Sequence, residues 1–128
     1  MTPDLLAWLT TAMDAAQQDA EAAAERAWSP RWDYDDLVHE VRDLNNGNTL
    51  ADIYLPEIGA FVVANDPAAA LRRIAADRKL IAEHAQYSLP DGSEIDECRV
   101  CGGSNEAWPC PTLRILAEGY GWTEEVTP

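Results

Sequence analysis

Apolar residues recur at three- and four-residue intervals along the first part of the chain. Leu5, Leu6, Leu9, Met13, Ala16, Ala20 and Ala23 or Ala24 share one side, and Asp14, Gln17, Gln18, Asp19, Glu21 and Glu25 fill the other. That period predicts a long amphipathic helix within residues 1–28. Thr2, Pro3 and Asp4 supply its start: a hydroxyl cap, a proline suited to the first helical position and an acid at the positive end of the dipole. Ser29-Pro30 ends it, because proline lacks an amide donor and restricts the residue before it. The alanine-rich seam suits close packing, in the chain's own core or against another chain.

The pattern then changes. Residues Leu37 to Leu44 and Thr49 to Leu55 read as strands around Asn45-Asn46-Gly47-Asn48, whose residues tolerate positive φ, which predicts an antiparallel hairpin. Ala60 to Ala64 is expected to add a third strand, with Pro56 and Gly59 at the intervening turn or edge. Asp66-Pro67 repeats the cap-and-proline start, and Ala68 to Gln86 reads as a second helix with Ala70, Leu71, Ile74, Ile81 and Ala85 on one side. Residues 89–105 read as loop, and a short helix resumes from Pro111 to Glu118. The fold class expected is α+β in a single domain over residues 1–128. Its parts are the N-terminal helix (1–28), a small antiparallel hairpin or three-stranded meander (32–64), a second helix with a zinc-knuckle-like segment ending in a short helix (66–118), and a tail (119–128).

Composition narrows the function classes. At 128 residues with 47% apolar and 25% charged content, the chain fits one modest globular core and excludes wholesale disorder. Its apolar runs are too short for a bilayer span, and its N-terminal stretch lacks the features of a secretory leader. The formal net charge is −14, which opposes direct binding to phosphate backbones. Residues 1–66 hold 13 acids against 3 bases, so the acidity concentrates in the first half, where it serves solubility or docks on a basic partner. Four of the nine bases, Arg72, Arg73, Arg78 and Lys79, fall on the second helix and are expected to pair internally.

All three cysteines lie within thirteen residues, as Cys98-Arg99-Val100-Cys101-Gly102-Gly103 and then Cys110-Pro111. A two-residue gap lets two sulfurs converge on one metal, and the glycines allow a bend that turns amides toward them. Cys110 stands at a helix start, where free N–H groups favour a thiolate. The best fourth donor is His84, fourteen residues before Cys98; Asp96, Glu97 and water compete with it. His39, in a predicted strand, reads as a packed or surface residue. An odd cysteine count without signs of secretion argues against a disulfide staple, and three thiols fall short of an all-cysteine iron–sulfur site. The glycines after Cys101 do not match a redox pair opening a helix. One structural Zn²⁺ follows. With three thiolates and an imidazole it would carry a formal −1, which Arg99 or Arg114 could offset, and it would add on the order of 10 kcal/mol toward folding.

From Asp66-Pro67 through Ile81 to His84, Cys98-x-x-Cys101-Gly102 and Trp108-Pro109-Cys110-Pro111-Thr112-Leu113-Arg114-Ile115-Leu116-Ala117, the chain resembles an uncharacterised family of small proteins from actinobacteria and their phages. The resemblance covers residues 60 to 120, with a looser likeness in the first helix. It implies the same four metal positions and no activity; with no span or leader read in the sequence, the expected setting is the cytoplasm of a bacterial cell. Family members often carry a histidine before the Asp-Pro and another in the tail, where this chain has Asn65 and Gly121-Trp122-Thr123-Glu124-Glu125. No role requiring those histidines carries over.

No phosphate-cradling glycine loop, nucleophile elbow or His-Glu-x-x-His helix is present in the sequence, so an enzyme is not motivated. The reading is a non-enzymatic, zinc-stabilised protein that binds another protein. Among five tryptophans, Trp28, Trp32 and Trp122 are the candidate contact residues, since they flank a loop or lie in the tail. The alternatives are an acidic mimic of nucleic acid that occupies a DNA- or RNA-binding protein, and a zinc enzyme with an open metal position.

Overall fold

The computed structural model describes residues 4–101 and 108–123. The elements in chain order are α1 (Leu5–Ala27), β1 (Trp32–Asp35), β2 (Glu40–Asp43), β3 (Thr49–Asp52), α2 (Pro56–Ala64), α3 (Pro67–Glu83), β4 (Gln86–Ser88), β5 (Glu94–Cys98) and α4 (Pro111–Gly119). The α+β class is as expected, with an antiparallel meander in the order β1-β2-β3 and a separate β4-β5 hairpin. None of the described helices is long and apolar enough to cross a membrane. Residues 15–74 form one compact unit, and residues 1–14 with 75–128 form another.

In the unit of residues 15–74, α1 ends where Trp28 adopts a φ of 63°. Asp66 then ties two elements together. One carboxylate oxygen caps α3 at the Ala69 amide (2.9 Å), and the other accepts the Trp32 amide at the start of β1 (3.0 Å). The meander is organised by a second buried carboxylate, Asp43. It accepts the amides of Asn45 (3.0 Å), Asn46 (2.7 Å) and Asn48 (3.0 Å), so the Asn-rich turn is wound around it. Val41, Ala20, Ala27, Pro67, Ala69 and Ile74 are among the buried apolar residues of this unit.

Three expectations are corrected here. Ala60 to Ala64 belongs to α2: Pro56 at the first helical position and Glu57 in the first turn start a helix that overrides the β-prone Phe61-Val62-Val63. The third strand comes instead from Trp32–Asp35, which pairs with β2 in the register Tyr34↔Val41. Residues 36–39 are a turn and not strand, and His39 has a φ of 60°.

In the other unit, Leu5, Leu9, Met13, Leu113 and Ala117 are buried together with Cys98 and Cys110. The start of α1 is capped by Asp4, whose carboxylate accepts the Leu6 (3.1 Å) and Ala7 (3.3 Å) amides; Thr2 and Pro3 lie outside the described residues. The expected loop over 89–105 is also corrected, since residues 86–98 form a hairpin. Asp91 accepts both the amide (2.8 Å) and hydroxyl (2.6 Å) of Ser93, and Gly92 takes a φ of 89°, closing a tight turn between short strands.

Candidate metal centre

Helix α3 stops at Glu83, three residues short of the expected end, yet the His84 amide still donates to Leu80 (3.0 Å). The imidazole is thus presented at a helix terminus, and Trp108 Nε1 donates to the His84 carbonyl (2.9 Å) to hold that point of the chain. The hairpin register places Cys98 opposite Gln86, and one more bond, from the Arg99 amide to the Ala85 carbonyl (2.9 Å), prolongs the pairing. The chain then turns back to Cys101. Cys110 caps α4 in an extended conformation, with Pro111 following, and its side chain makes no capping hydrogen bond.

These four positions converge. His84 Nδ1 lies 3.4 Å from Cys98 Sγ, 3.5 Å from Cys101 Sγ and 3.4 Å from Cys110 Sγ. All four donor atoms fall within 4.8 Å of one another. A single ring nitrogen has one proton or one lone pair to offer, so hydrogen bonding alone cannot account for three equivalent sulfur neighbours. Around a tetrahedral ion with Zn–S of about 2.3 Å and Zn–N of about 2.05 Å, the N···S edge is about 3.6 Å. The observed edges agree to about 0.2 Å.

Electrostatics points the same way. Burial pushes the Cys98 thiol up, but the amides of Cys101 and Val100, with the His84 and Cys110 side chains, outweigh it and bring the thiol to about 7. Those amides supply the bend expected of the knuckle; Gly102 and Gly103 lie outside the described residues. Burial raises Cys101 to about 11, helped by hydrogen bonds and charge from Cys98 and Cys110. Three sulfurs this close resist joint deprotonation unless a cation joins them. The cluster could hold one metal ion.

The other candidates separate. His39 lies in the meander unit, its ring 5.5 Å from Tyr54 and its Nδ1 buried without a hydrogen-bond partner among the described residues. Glu97 is exposed, and the side chain of Asp96 lies outside the described residues. Trp28 is 74% exposed. Trp32 is half-buried and donates to the Ser29 carbonyl (3.2 Å), and Trp122 is half-buried with its ring edge-on to Trp8 (5.2 Å). Of the basic residues on α3, Arg78 pairs with Asp14 (2.8 Å) and Arg73 donates to Asn65 (3.1 Å). The residue pattern had not singled out Trp108 as the anchor of His84, although its place two residues before Cys110 was a usable signal.

Residues 2–121 match a family model described as "Family of unknown function (DUF6221)", and the chain belongs to that family. No curated protein and no solved structure matches it.

Proposed function

We propose that this member of the DUF6221 family is a non-enzymatic, zinc-stabilised cytoplasmic protein that acts by binding another protein. One structural Zn²⁺ is held by His84, Cys98, Cys101 and Cys110. The observation that carries the metal assignment is the set of three near-equal distances from one imidazole nitrogen to three sulfurs. Soft thiolates with one imidazole in a tetrahedral set suit zinc better than oxygen-seeking ions. With four protein donors the coordination sphere is closed, which supports a structural role over a catalytic one needing a bound water. The ion joins the end of α3, the β4-β5 hairpin and the start of α4, where short elements bury few large side chains.

Protein binding is supported by the number of large apolar side chains left at the surface, among them Trp28, Tyr54 and Phe61. Native mass spectrometry of wild type and His84→Ala, with and without chelator, tests the metal; one zinc per wild-type chain is expected. Metal-free protein that stays folded while its thiols alkylate freely would overturn the assignment. A pull-down from bacterial lysate, repeated with Trp28→Ala, tests the binding role. The concentration of acids favours a second reading, a mimic of nucleic acid acting on a basic protein. That reading requires binding that weakens steeply with added salt and is indifferent to the exposed apolar side chains, whereas an interface with an apolar centre weakens when those side chains are removed.

A further inference from the structure

Helix α2 has the sequence Pro-Glu-Ile-Gly-Ala-Phe-Val-Val-Ala, and among its residues only Gly59 is buried. Gly59 sits against the ring of Tyr34, where a Cβ would overlap ring atoms, so this glycine defines the face turned to the meander. At 100° per residue, Val62 and Val63 flank that face and are half-buried, Ile58 lies at its edge beyond Val62, and Phe61 projects from the far side. Ile58 is 50% and Phe61 69% exposed, with Tyr54 at 79% and Leu55 at 57% leading into the helix. Leu37 and Val38 continue the surface from the β1-β2 turn. That turn is joined to it by the Ile53 amide on the His39 carbonyl (2.7 Å) and by the His39–Tyr54 ring contact. Single exposed apolar residues are ordinary; six within two short segments linked through His39 are a concentration.

The surroundings of this patch select its occupant. Residues 32–66 contain eight acids, of which Asp43 and Asp66 are buried, and one base, Arg42. That base is already engaged by Glu40 (3.0 Å) and Asp35 (3.6 Å). Desolvation and then the charges of Asp36, Glu57 and Asp35 raise the Tyr34 phenol, which places those carboxylates around the residue on which α2 rests. We propose that Leu37, Val38, Tyr54, Leu55, Ile58 and Phe61 form a docking surface for a basic amphipathic segment of a partner protein. Its apolar side covers these side chains, and its Lys and Arg residues reach Asp36, Asp52 and Glu57. The inference rests on the protein-binding reading and names the partner's chemistry. A second copy of this chain would bring two acidic rims together, and nucleic acid or an anionic membrane would be repelled.

The test is an amide-resolved NMR titration of the full zinc-loaded chain with three synthetic peptides of about 15 residues, long enough for four helical turns. One carries Leu and Lys in amphipathic order, one the same composition scrambled, and one Leu and Glu in amphipathic order. Shifts confined to residues 36–39 and 52–63 are expected with the ordered Leu/Lys peptide. The scrambled peptide and the Ile58→Ser/Phe61→Ser variant should each bind about tenfold more weakly or worse. Equal binding by the scrambled peptide, equal binding by the Leu/Glu peptide, or a dimer that the double variant abolishes would each overturn the proposal. Leu37→Ser, in a turn, replaces the double variant if that variant loses its dispersed spectrum. A lysate partner held equally by wild type and variant would remove this surface and leave the protein-binding reading standing. Patch-confined peptide shifts with no lysate partner recovered would do the reverse.

Discussion

Replacing His84 with alanine removes one donor from the cluster while sparing the contact beside it, because Trp108 binds the His84 main-chain carbonyl and not its ring. The variant therefore separates the metal's contribution from that of the neighbouring anchor. Structural zinc sites bind with an apparent free energy of about 10–16 kcal/mol. Shared over four donors, that is about 3 kcal/mol for the imidazole, or about a hundredfold in affinity. His84→Cys should recover part of the loss, since a thiolate there still reaches toward the other sulfurs, at the cost of a further negative charge. Competition against a chromogenic chelator gives the affinities, and thermal unfolding with and without chelator gives the coupling to stability. Affinity should fall as pH is lowered, because the thiols and imidazole bind metal only when deprotonated. If His84→Ala holds zinc as tightly as wild type, the imidazole is not a ligand and the three near-equal distances have another cause. If stripping the metal leaves the melting temperature unchanged, the ion does not support the fold.

Three further outcomes test the meander unit. Gly59→Ala should destabilise the protein by about 1–3 kcal/mol in urea, since the added Cβ meets the Tyr34 ring. That ring is held by the hydroxyl donating to the Ile53 carbonyl (2.6 Å), so a double variant with Tyr34→Ala should show the two costs to be non-additive, and simple additivity would mean that α2 does not rest there. Asp43→Ala should cost about 3 kcal/mol, because three turn amides lose a buried carboxylate acceptor, with Asp43→Asn intermediate; an unchanged urea midpoint would refute this role. Hydrogen bonds from Thr49 and Arg42 lower the Glu40 carboxyl below its ordinary 4.5. Its contribution is therefore complete above about 4.5 and lost as pH falls through the depressed folded value, so Glu40→Gln should flatten the acid limb of stability, and an unaltered limb would refute the assignment.

Elements with a chemical start signal were legible, and those defined by pairing were not. Helices α3 and α4 open on a residue followed by proline, Asp66-Pro67 and Cys110-Pro111, and the structure starts both there. Pro56-Glu57 is the same kind of signal, but the β-branched run after it, in a helix of only nine residues, reads equally as a strand. Strand β1, Trp32-Asp33-Tyr34-Asp35, does alternate, yet its acids obscured the pattern until pairing with Asp43, Arg42, Val41 and Glu40 supplied its stability. Likewise β5 is Glu94-Ile95-Asp96-Glu97-Cys98, poor in strand formers, and only its Asp91-Gly92 turn announces a hairpin. The positive φ at Trp28 leaves no trace in the sequence, since a bulky aromatic residue rarely adopts it.

The metal cluster and the apolar patch differ in legibility for a related reason. Thiols at a two-residue gap and before a proline identify themselves, because few other roles need three cysteines in a short stretch of a chain with an odd count. His84 already ranks above Asp96, Glu97 and water from residue type and spacing, and the register that sets Cys98 opposite Gln86, two residues beyond His84, shows how the fold brings its ring to the sulfurs. The proposed docking surface obeys a different logic. Tryptophan content points to Trp28, Trp32 and Trp122; of these Trp28 is the most exposed, while Trp32 is tied to Ser29 and Trp122 is packed edge-on against Trp8. Ile58 and Phe61 read as core in any hydrophobic count. Phe61 is exposed because Gly59 is the residue that meets Tyr34, which turns the opposite side of the helix outward. An exposed apolar face of this kind is set by the position of one helix glycine against a tyrosine of the sheet, so it becomes readable only after Tyr34 and Gly59 are known to meet.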